Sequence, residues 1–190
     1  ATGRVAKSFG AGRSASMGSS WADLDNDGDQ DVFVYAYGLS RLFRNDGPRG
    51  GVPSFTDIGA GTALERWMNA NAATWLDYDR DGLLDLYVGG YFRDDTDLWK
   101  LRDTVVMHDS FEFAVDGGRN RLFRNLGEGR FEEVGALLGV DSPRWTYAVA
   151  SADFDDDGWP DLYVANDYGS EELLLNHGGE RFTALLGAGL

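Results

Sequence analysis

Short apolar runs, bounded by polar or glycine-bearing turns, recur along the chain and predict β-strands. The runs at residues 32–34, 86–88 and 162–164 are apolar on both faces, which suits strands that are covered on both sides. A segment rich in small side chains precedes each run, as expected where strands from several units crowd together. No stretch outside residues 91–118 has a sustained helical period. The pattern therefore predicts an all-β protein.

The strand pattern belongs to a repeat whose landmarks come in the same order three times. Each copy opens with a nine-residue acidic window that leads into one of the apolar runs. A segment ending in Asn before a hairpin-type turn follows, and a segment beginning with Phe closes the copy. The acidic windows are residues 23–31, 77–85 and 153–161, and the Asn landmarks are Asn45, Asn125 and Asn176. We expect four short strands per copy, which is one blade of a β-propeller.

The copies define three predicted units within one domain, at residues 1–60, 61–138 and 139–190. The second copy has 40 residues from the end of its acidic window to its Asn landmark, where the others have 14 and 15. An insertion is therefore predicted at residues 91–118. The predicted fold is all-β, with three four-stranded blades of the β-propeller type. Because closed propellers have more blades than three, we expect a fragment of a longer protein or a ring completed by other chains.

Negative charge is concentrated in the acidic windows. The chain has 32 acidic and 17 basic residues, with a formal net charge of −15. Fourteen acidic residues lie in the three windows, which leaves 18 acidic against 17 basic residues elsewhere. This distribution predicts a local cation, and no nucleic acid, as the partner of the windows. The absence of cysteine excludes disulfides, thiolate catalysis and cysteine-ligated zinc.

Each acidic window can supply the oxygen ligands of a calcium ion. Carboxylates stand at positions 1, 3, 5 and 9, position 7 can offer its backbone carbonyl, and glycine at position 6 permits a sharp bend. The candidate ligands are Asp23, Asp25, Asp27, Asp29 and Asp31 in the first window, Asp77, Asp79, Asp81, Leu83 and Asp85 in the second, and Asp153, Asp155, Asp157, Trp159 and Asp161 in the third. An EF-hand needs Glu at position 12, which is Val in all three copies, and magnesium suits fewer protein ligands. A plain hairpin turn is the remaining alternative.

The Asp-x-Asp-x-Asp-Gly-x-x-Asp windows followed by Leu-Tyr-Val resemble the FG-GAP/VCBS repeats of integrin-type β-propellers. The Leu-Phe-Arg-Asn and Phe-x-Glu-Val segments look more narrowly like the CRTAC1/ASPIC-UnbV branch of that group. The resemblance covers nearly the whole chain. It implies three Ca²⁺ sites, with the aspartates at positions 1, 3, 5 and 9 as side-chain ligands. It also implies an extracellular, periplasmic or cell-surface setting and a role in adhesion, but no particular reaction.

The insertion at residues 91–118 is a second candidate site. It mixes aromatic side chains, from Tyr91 to Phe113, with charged ones, and long loops on rigid scaffolds often carry binding sites. We expect either a surface for a protein or carbohydrate partner, or a loop packed on its own blade. His108 and Glu112 could share a metal only if this segment is helical. The other histidine, His177, is interpreted as a turn residue.

The sequence favours a binding or assembly module outside the cytoplasm over an enzyme. It contains no Gly-rich phosphate loop, no zinc spacing and no recognisable Ser-His pair, so no catalytic residue is predicted. A polysaccharide-active enzyme or carbohydrate-binding domain that uses the insertion is the alternative. No apolar run reaches the length of a membrane span. The expected partners are a protein or a carbohydrate at the extracellular face, or further copies of the chain through open blade edges.

Overall fold

The computed structural model describes residues 14–101 and 106–186, within which the chain forms twelve β-strands and one short helix. The elements are β1 (Ala15–Ala22), β2 (Asp31–Leu39), β3 (Arg41–Arg49), β4 (Val52–Asp57), β5 (Trp67–Leu76), β6 (Asp85–Phe92), β7 (Arg121–Asn125), β8 (Phe131–Glu133), α1 (Gly135–Leu138), β9 (Thr146–Ala152), β10 (Asp161–Asn166), β11 (Glu172–Asn176) and β12 (Phe182–Leu186). The prediction of an all-β fold is confirmed. The described part has no helix long and apolar enough to cross a membrane. The outer ends of the first and third predicted units, and residues 102–105 of the insertion, lie outside the described residues.

The strands form three antiparallel groups of four, each in the order of a propeller blade. In the first blade, β1 pairs with β2, β2 with β3, and β3 with β4. The second blade, β5 to β8, and the third, β9 to β12, repeat this order. β2 also pairs with β5 through residues 37–39 and 67–69, which joins the first two blades into one eight-stranded sheet. The chain thus forms three blades with the same strand order and pairing.

Two hydrophobic clusters lie between the blades and form the core. The cluster between the first and second blades includes Leu24, Phe33, Leu42, Leu86, Val88 and Phe123. The cluster between the second and third includes Tyr87, Leu122, Leu162, Val164 and Leu174. Leu86 and Tyr87 are neighbours in β6 and enter different clusters, because side chains alternate between the faces of a strand. This alternation explains why the runs are apolar at every position.

The insertion leaves the second blade at the end opposite to its acidic window. The window joins β5 to β6, and β6 then crosses the blade to Phe92. Tyr91 and Phe92, which the sequence placed in the insertion, belong to β6 because Phe92 pairs with Asn69 of β5. The segment between β6 and β7 therefore covers residues 93–120. Any chemistry of this segment is separated from that of the acidic windows by the length of the blade.

Candidate metal centres

The three acidic windows form loops of one shape, each between the first and second strands of a blade. They are called the first, second and third acidic loops below, with positions 1 to 9. Position 4 is left-handed in each, with φ of 59° at Asn26, 57° at Arg80 and 59° at Asp156. The glycine at position 6 has φ of 92°, 89° and 90° in the three loops, a conformation that L side chains rarely adopt. The same backbone curl therefore recurs although positions 4 and 7 differ in sequence.

The aspartate at position 1 holds this curl from the inside. Asp23 accepts the backbone N–H groups of positions 5 and 6 at 3.1 and 3.0 Å, and Asp153 accepts the same pair at 3.1 and 2.8 Å. In the second loop, Asp77 Oδ2 accepts the N–H of Gly82 at 3.1 Å. The other oxygen, Asp77 Oδ1, is buried and has no hydrogen-bond partner among the described residues. Because an unpartnered buried oxygen is costly, it is an atom that a cation could satisfy.

The aspartate at position 9 ties its loop to the hairpin between the third and fourth strands. Asp85 Oδ2 accepts the N–H of Tyr78 at 3.1 Å, and Oδ1 accepts the N–H of Asn125 at 2.8 Å. Asp31 and Asp161 accept the corresponding two N–H groups in their own blades. All three aspartates are fully buried. Position 9 is therefore a structural link as well as a candidate ligand.

Carboxylates in each loop converge closely enough to share one ion. The groups whose oxygens lie within 4.8 Å of one another are Asp23, Asp25 and Asp27; Asp77, Asp79 and Asp85; and Asp153, Asp155 and Asp161. Positions 1 and 3 take part in all three groups. Position 5 completes the first group, and position 9 completes the other two. The remaining predicted side chains, Asp31, Asp81 and Asp157, are not members of these groups.

Position 7 engages its loop through the backbone, whatever its side chain. The N–H groups of Asp29, Leu83 and Trp159 donate to the position 5 carboxylate at 2.9, 3.0 and 2.8 Å. A backbone role explains why an acid, an aliphatic and an indole side chain are all accepted at this position. The carbonyl oxygens of these residues as calcium ligands stay a prediction.

The loop carboxylates are electrostatically unfavourable without a cation. The pKa of Asp85 is raised to about 7, mainly by burial and to a smaller extent by neighbouring aspartates, against two backbone N–H bonds that lower it. Burial is also the main cause that raises the pKa of four other loop carboxylates, at Asp25, Asp31, Asp79 and Asp155. A divalent cation would relieve both the burial of charge and the mutual repulsion. The arrangement of charge thus fits a hard cation at each loop.

In the absence of calcium, acidification from about pH 7.5 to pH 5 is expected to stabilise the fold. A carboxyl group whose pKa is higher in the folded chain binds more protons when folded, so the free energy of unfolding rises as the pH falls through that pKa. With Asp85 at about 7, urea unfolding of chelator-stripped protein should show a gain of about 2–3 kcal/mol. The Asp85→Asn variant, which cannot titrate there, should show a flatter profile.

The same acidification in saturating calcium is expected to have the opposite effect, because a calcium ion in the loops would bind the aspartates in their ionised form. Two unfolding series, with and without calcium, therefore separate the two states. Loss of stability on acidification in the chelator-stripped protein would contradict the cation-site electrostatics.

An arginine that the sequence did not assign to the metal centre reaches the second acidic loop. Arg124 Nη2 lies 2.6 Å from Asp79 Oδ2. Arg44 holds the same place in the first blade but pairs with Asp46 at 2.8 Å, and the third blade has Leu175 there. The sequence feature that could have indicated this role is an Arg directly before the Asn landmark, which is present in two of the three copies. In the second loop a bound ion would share the Asp79 carboxylate with this guanidinium.

The second and third Asn landmarks join their acidic loops to the loop of the preceding blade. Asn125 Nδ2 donates to the carbonyl of Leu24 in the first loop at 2.9 Å and to a carbonyl of its own loop at 3.1 Å. Asn176 Nδ2 bridges in the same way to Tyr78 of the second loop, at 2.9 Å. The hairpin interpretation explains only the Oδ1 atoms, which accept N–H groups of the turns. The conformation of an acidic loop is thereby linked by a hydrogen bond to the blade that follows it.

Side chains at position 4 add direct contacts between neighbouring loops. Asn26 Nδ2 donates to the carbonyl of Gly82 at 3.0 Å. The Arg80 guanidinium carbon lies 5.2 Å from the centre of the Trp159 ring, a cation–π distance. The three acidic loops therefore form one connected row at one end of the blades.

Comparison with protein families assigns the repeat. A family model for the FG-GAP-like repeat matches residues 23–88 and 109–164, which contain all three acidic loops. This chain belongs to the FG-GAP-like repeat family. The stretch between the two matched ranges of the FG-GAP chain, residues 89–108, contains residues 91–108 of the insertion.

Two relatives share part of this FG-GAP chain. Cartilage acidic protein 1 of Homo sapiens and that of Mus musculus are each 41% identical to it over 71 residues, which is 35% of the chain. The aligned part covers 11% of the length of either relative. The resemblance to FG-GAP repeats of the CRTAC1 branch is confirmed by these matches. These matches therefore concern the repeat module alone and carry no information on the rest of either relative.

Proposed function

We propose that the chain is a calcium-binding FG-GAP module that works outside the cytoplasm and binds a partner, and is not an enzyme. The observation that carries this proposal is the convergence of three carboxylates in each acidic loop, repeated on the same backbone curl. The proposed stoichiometry is one calcium ion per acidic loop. The proposed ligands are the aspartates at positions 1, 3, 5 and 9 and the backbone carbonyl at position 7.

The donor set of the loops fits calcium. Carboxylate and carbonyl oxygens are hard ligands, and calcium accepts six to eight of them in a flexible geometry, whereas magnesium requires a stricter one and retains waters. The buried Asp77 Oδ1 lacks a donor among the described residues. The pKa of Asp85, which burial raises to about 7, also favours a compensating charge at this loop. These observations support a cation at the second loop most strongly.

Calcium in these loops would hold the blades in place without taking part in a reaction. Each loop lies between the first two strands of a blade, and the aspartate at position 9 binds the end of the third. Calcium is near millimolar outside cells, where weak sites of this kind fill, and this supports a secreted or cell-surface location. Because the loops account for the clustered carboxylates, no catalytic residue is proposed.

The three units, at residues 1–60, 61–138 and 139–190, are proposed as successive blades of one adhesion or partner-binding module. Calcium would rigidify the end of the blades that carries the acidic loops. The insertion emerges from the opposite end and is proposed as the surface that meets the partner. Binding there would use a surface preorganised by the blades beneath it.

Isothermal titration of chelator-stripped protein with calcium tests the proposal. We expect three calcium ions per chain, and the Asp79→Asn variant should bind one fewer because it loses a ligand of the second loop. Asp95→Asn is the matched control, since Asp95 is an exposed aspartate of the insertion that pairs with Arg93. No heat of binding from a folded chain, or an equal loss in both variants, would contradict the calcium sites.

A further inference from the structure

Large apolar side chains are exposed together on the second half of the insertion. Met107, Phe111, Phe113 and Val115 are 65%, 75%, 71% and 51% exposed. They are called the insertion patch below. Single exposed apolar side chains are ordinary, but four of them within nine residues of chain favour an interaction site. Aromatic and Met side chains are also enriched in protein interfaces.

The backbone that carries the insertion patch is held in place. The carbonyl of Phe111 accepts the N–H of Gly169 from the third blade at 3.0 Å. Ser110 Oγ accepts the N–H groups of residues 112 and 113 at 3.3 and 3.1 Å. Ala114, between the exposed residues, is fully buried. The apolar side chains thus stand on a fixed loop, which lowers the entropy cost of binding.

Aromatic rings support the insertion patch from below. His108 stacks on Tyr168 with 3.7 Å between ring centres, and Phe111 meets the edge of Tyr168 at 5.5 Å. Trp145 lies 5.8 Å from Tyr168, and its Nε1 donates to Asp116 at 2.9 Å. The patch is therefore fixed on the third blade, although it emerges from the second.

Negative charge surrounds the insertion patch. Residues 106–118 contain three carboxylates, Asp109, Glu112 and Asp116, and no Lys or Arg. Although burial opposes it, hydrogen bonds from Trp145 and from the Asp109 backbone lower the pKa of Asp116, which keeps it charged. Three arginines lie next to this segment, and each is paired with a carboxylate outside it. Arg144, which also reaches the Ala114 carbonyl at 3.4 Å, pairs with Glu172 at 3.3 Å. Arg119 pairs with Asp141 and Arg93 with Asp95, both at 2.6 Å. The negative electrostatic potential at the insertion patch therefore favours a partner with basic side chains.

We propose that the insertion patch docks a protein segment in which Lys or Arg side chains stand beside bulky apolar ones. This inference rests on the proposed partner-binding function and names the chemistry of the partner. The apolar side chains would cover Phe111 and Phe113, and the basic ones would meet Asp109 and Glu112. A carbohydrate fits less well, because Met107 and Val115, two of the four patch side chains, offer a sugar neither a ring face for stacking nor a hydrogen-bonding group.

Selection from a random peptide display library on the calcium-loaded chain tests this proposal. Peptides are counter-selected on the Phe111→Ser/Phe113→Ser double variant. We expect enriched sequences with Lys or Arg next to Leu, Ile, Phe or Trp. A synthetic peptide of the enriched sequence should bind the unaltered chain at least about tenfold more tightly than the double variant. Glu112→Lys should weaken the same peptide by about fivefold or more at low salt, because it reverses a charge at the patch.

Leu137→Ser is the matched control, because Leu137 is 83% exposed on α1, outside the insertion. It should leave peptide affinity unchanged. Calcium stoichiometry and melting temperature of every variant show that it is folded and loaded. Enrichment of acidic or uncharged peptides, or equal binding by the double variant, would overturn the proposal.

Glycan-array binding that depends on Phe111 would also overturn it, in favour of a carbohydrate ligand. A chain that binds three calcium ions but selects no basic–apolar peptide overturns this inference alone. Failure to bind calcium overturns the proposed metal function and leaves the peptide result to stand by itself.

Discussion

Removal of calcium is expected to lower the melting temperature of the chain by about 15–30 °C. An ion that binds only the folded chain stabilises it by about 2.7 kcal/mol at 100 times its dissociation constant. Three filled loops would then contribute about 8 kcal/mol, and a chain of this size shifts by about 2–4 °C per kcal/mol. Circular dichroism melting in calcium, and again after chelation, measures the difference.

The effect should be specific to calcium and to the acidic loops. Added calcium should restore the melting temperature, and magnesium at the same concentration should restore less of it. Asp79→Asn should remove about a third of the calcium effect, since one loop of three loses a ligand, whereas Asp95→Asn should leave it intact. Identical melting curves in calcium and in chelator would show that the loops have no structural ion.

Replacement of Asp85 by Ala is expected to cost about 3–6 kcal/mol of unfolding free energy in calcium-free buffer at pH 5. At that pH the carboxyl, whose pKa is about 7, is protonated in the folded chain, so its removal relieves no buried charge. Asp85 is fully buried and accepts the backbone N–H groups of Tyr78 and Asn125. Its removal leaves both donors unpartnered, at about 1–3 kcal/mol each, and opens a cavity. Urea unfolding of chelator-stripped Asp85→Ala against the unaltered chain measures the loss.

Asp79→Ala is the matched comparison within the same loop. Its carboxylate is less buried, pairs with Arg124 and has a pKa raised mainly by burial. Without calcium, its removal should cost less than about 1 kcal/mol, because it also relieves repulsion. In calcium, both variants should lose the second ion. Equal costs in chelator would mean that position 9 acts only as a ligand and not as a link between strands.

Local sequence was sufficient for the blades and for the shape of the loops. Residues 86–88 are apolar at every position because neighbours such as Leu86 and Tyr87 serve two different blade interfaces. Gly82 marks a left-handed backbone position that few other residues adopt. Both signals lie within a few residues of chain and recur three times, so a repeat comparison exposes them.

The end of β6 and the role of Arg124 were harder to infer. Tyr91 and Phe92 continue β6 because Phe92 pairs with Asn69 across the blade. The repeat copies do not agree on this point, since β2 continues to Leu39 but β10 ends at Asn166. Arg124 reaches the second loop, whereas Arg44 pairs within its own hairpin. The same residue type at the same repeat position thus takes different partners, and the choice depends on side-chain geometry.

The sequence by itself determined the three acidic loops, their candidate ligands and the four-stranded units, because those patterns repeat at short, regular spacing. Only the tertiary structure decided how the loops are joined: Asn125 and Leu24 are 101 residues apart, and their hydrogen bond exists because two blades pack side by side. It likewise decided that Phe111 and Phe113 stand exposed on a fixed loop, since the third blade supplies the contacts that hold them there. The Asn landmarks recur along the chain, but their spacing does not say which distant carbonyl group each side chain reaches, and for that reason these partners emerged only from the folded arrangement.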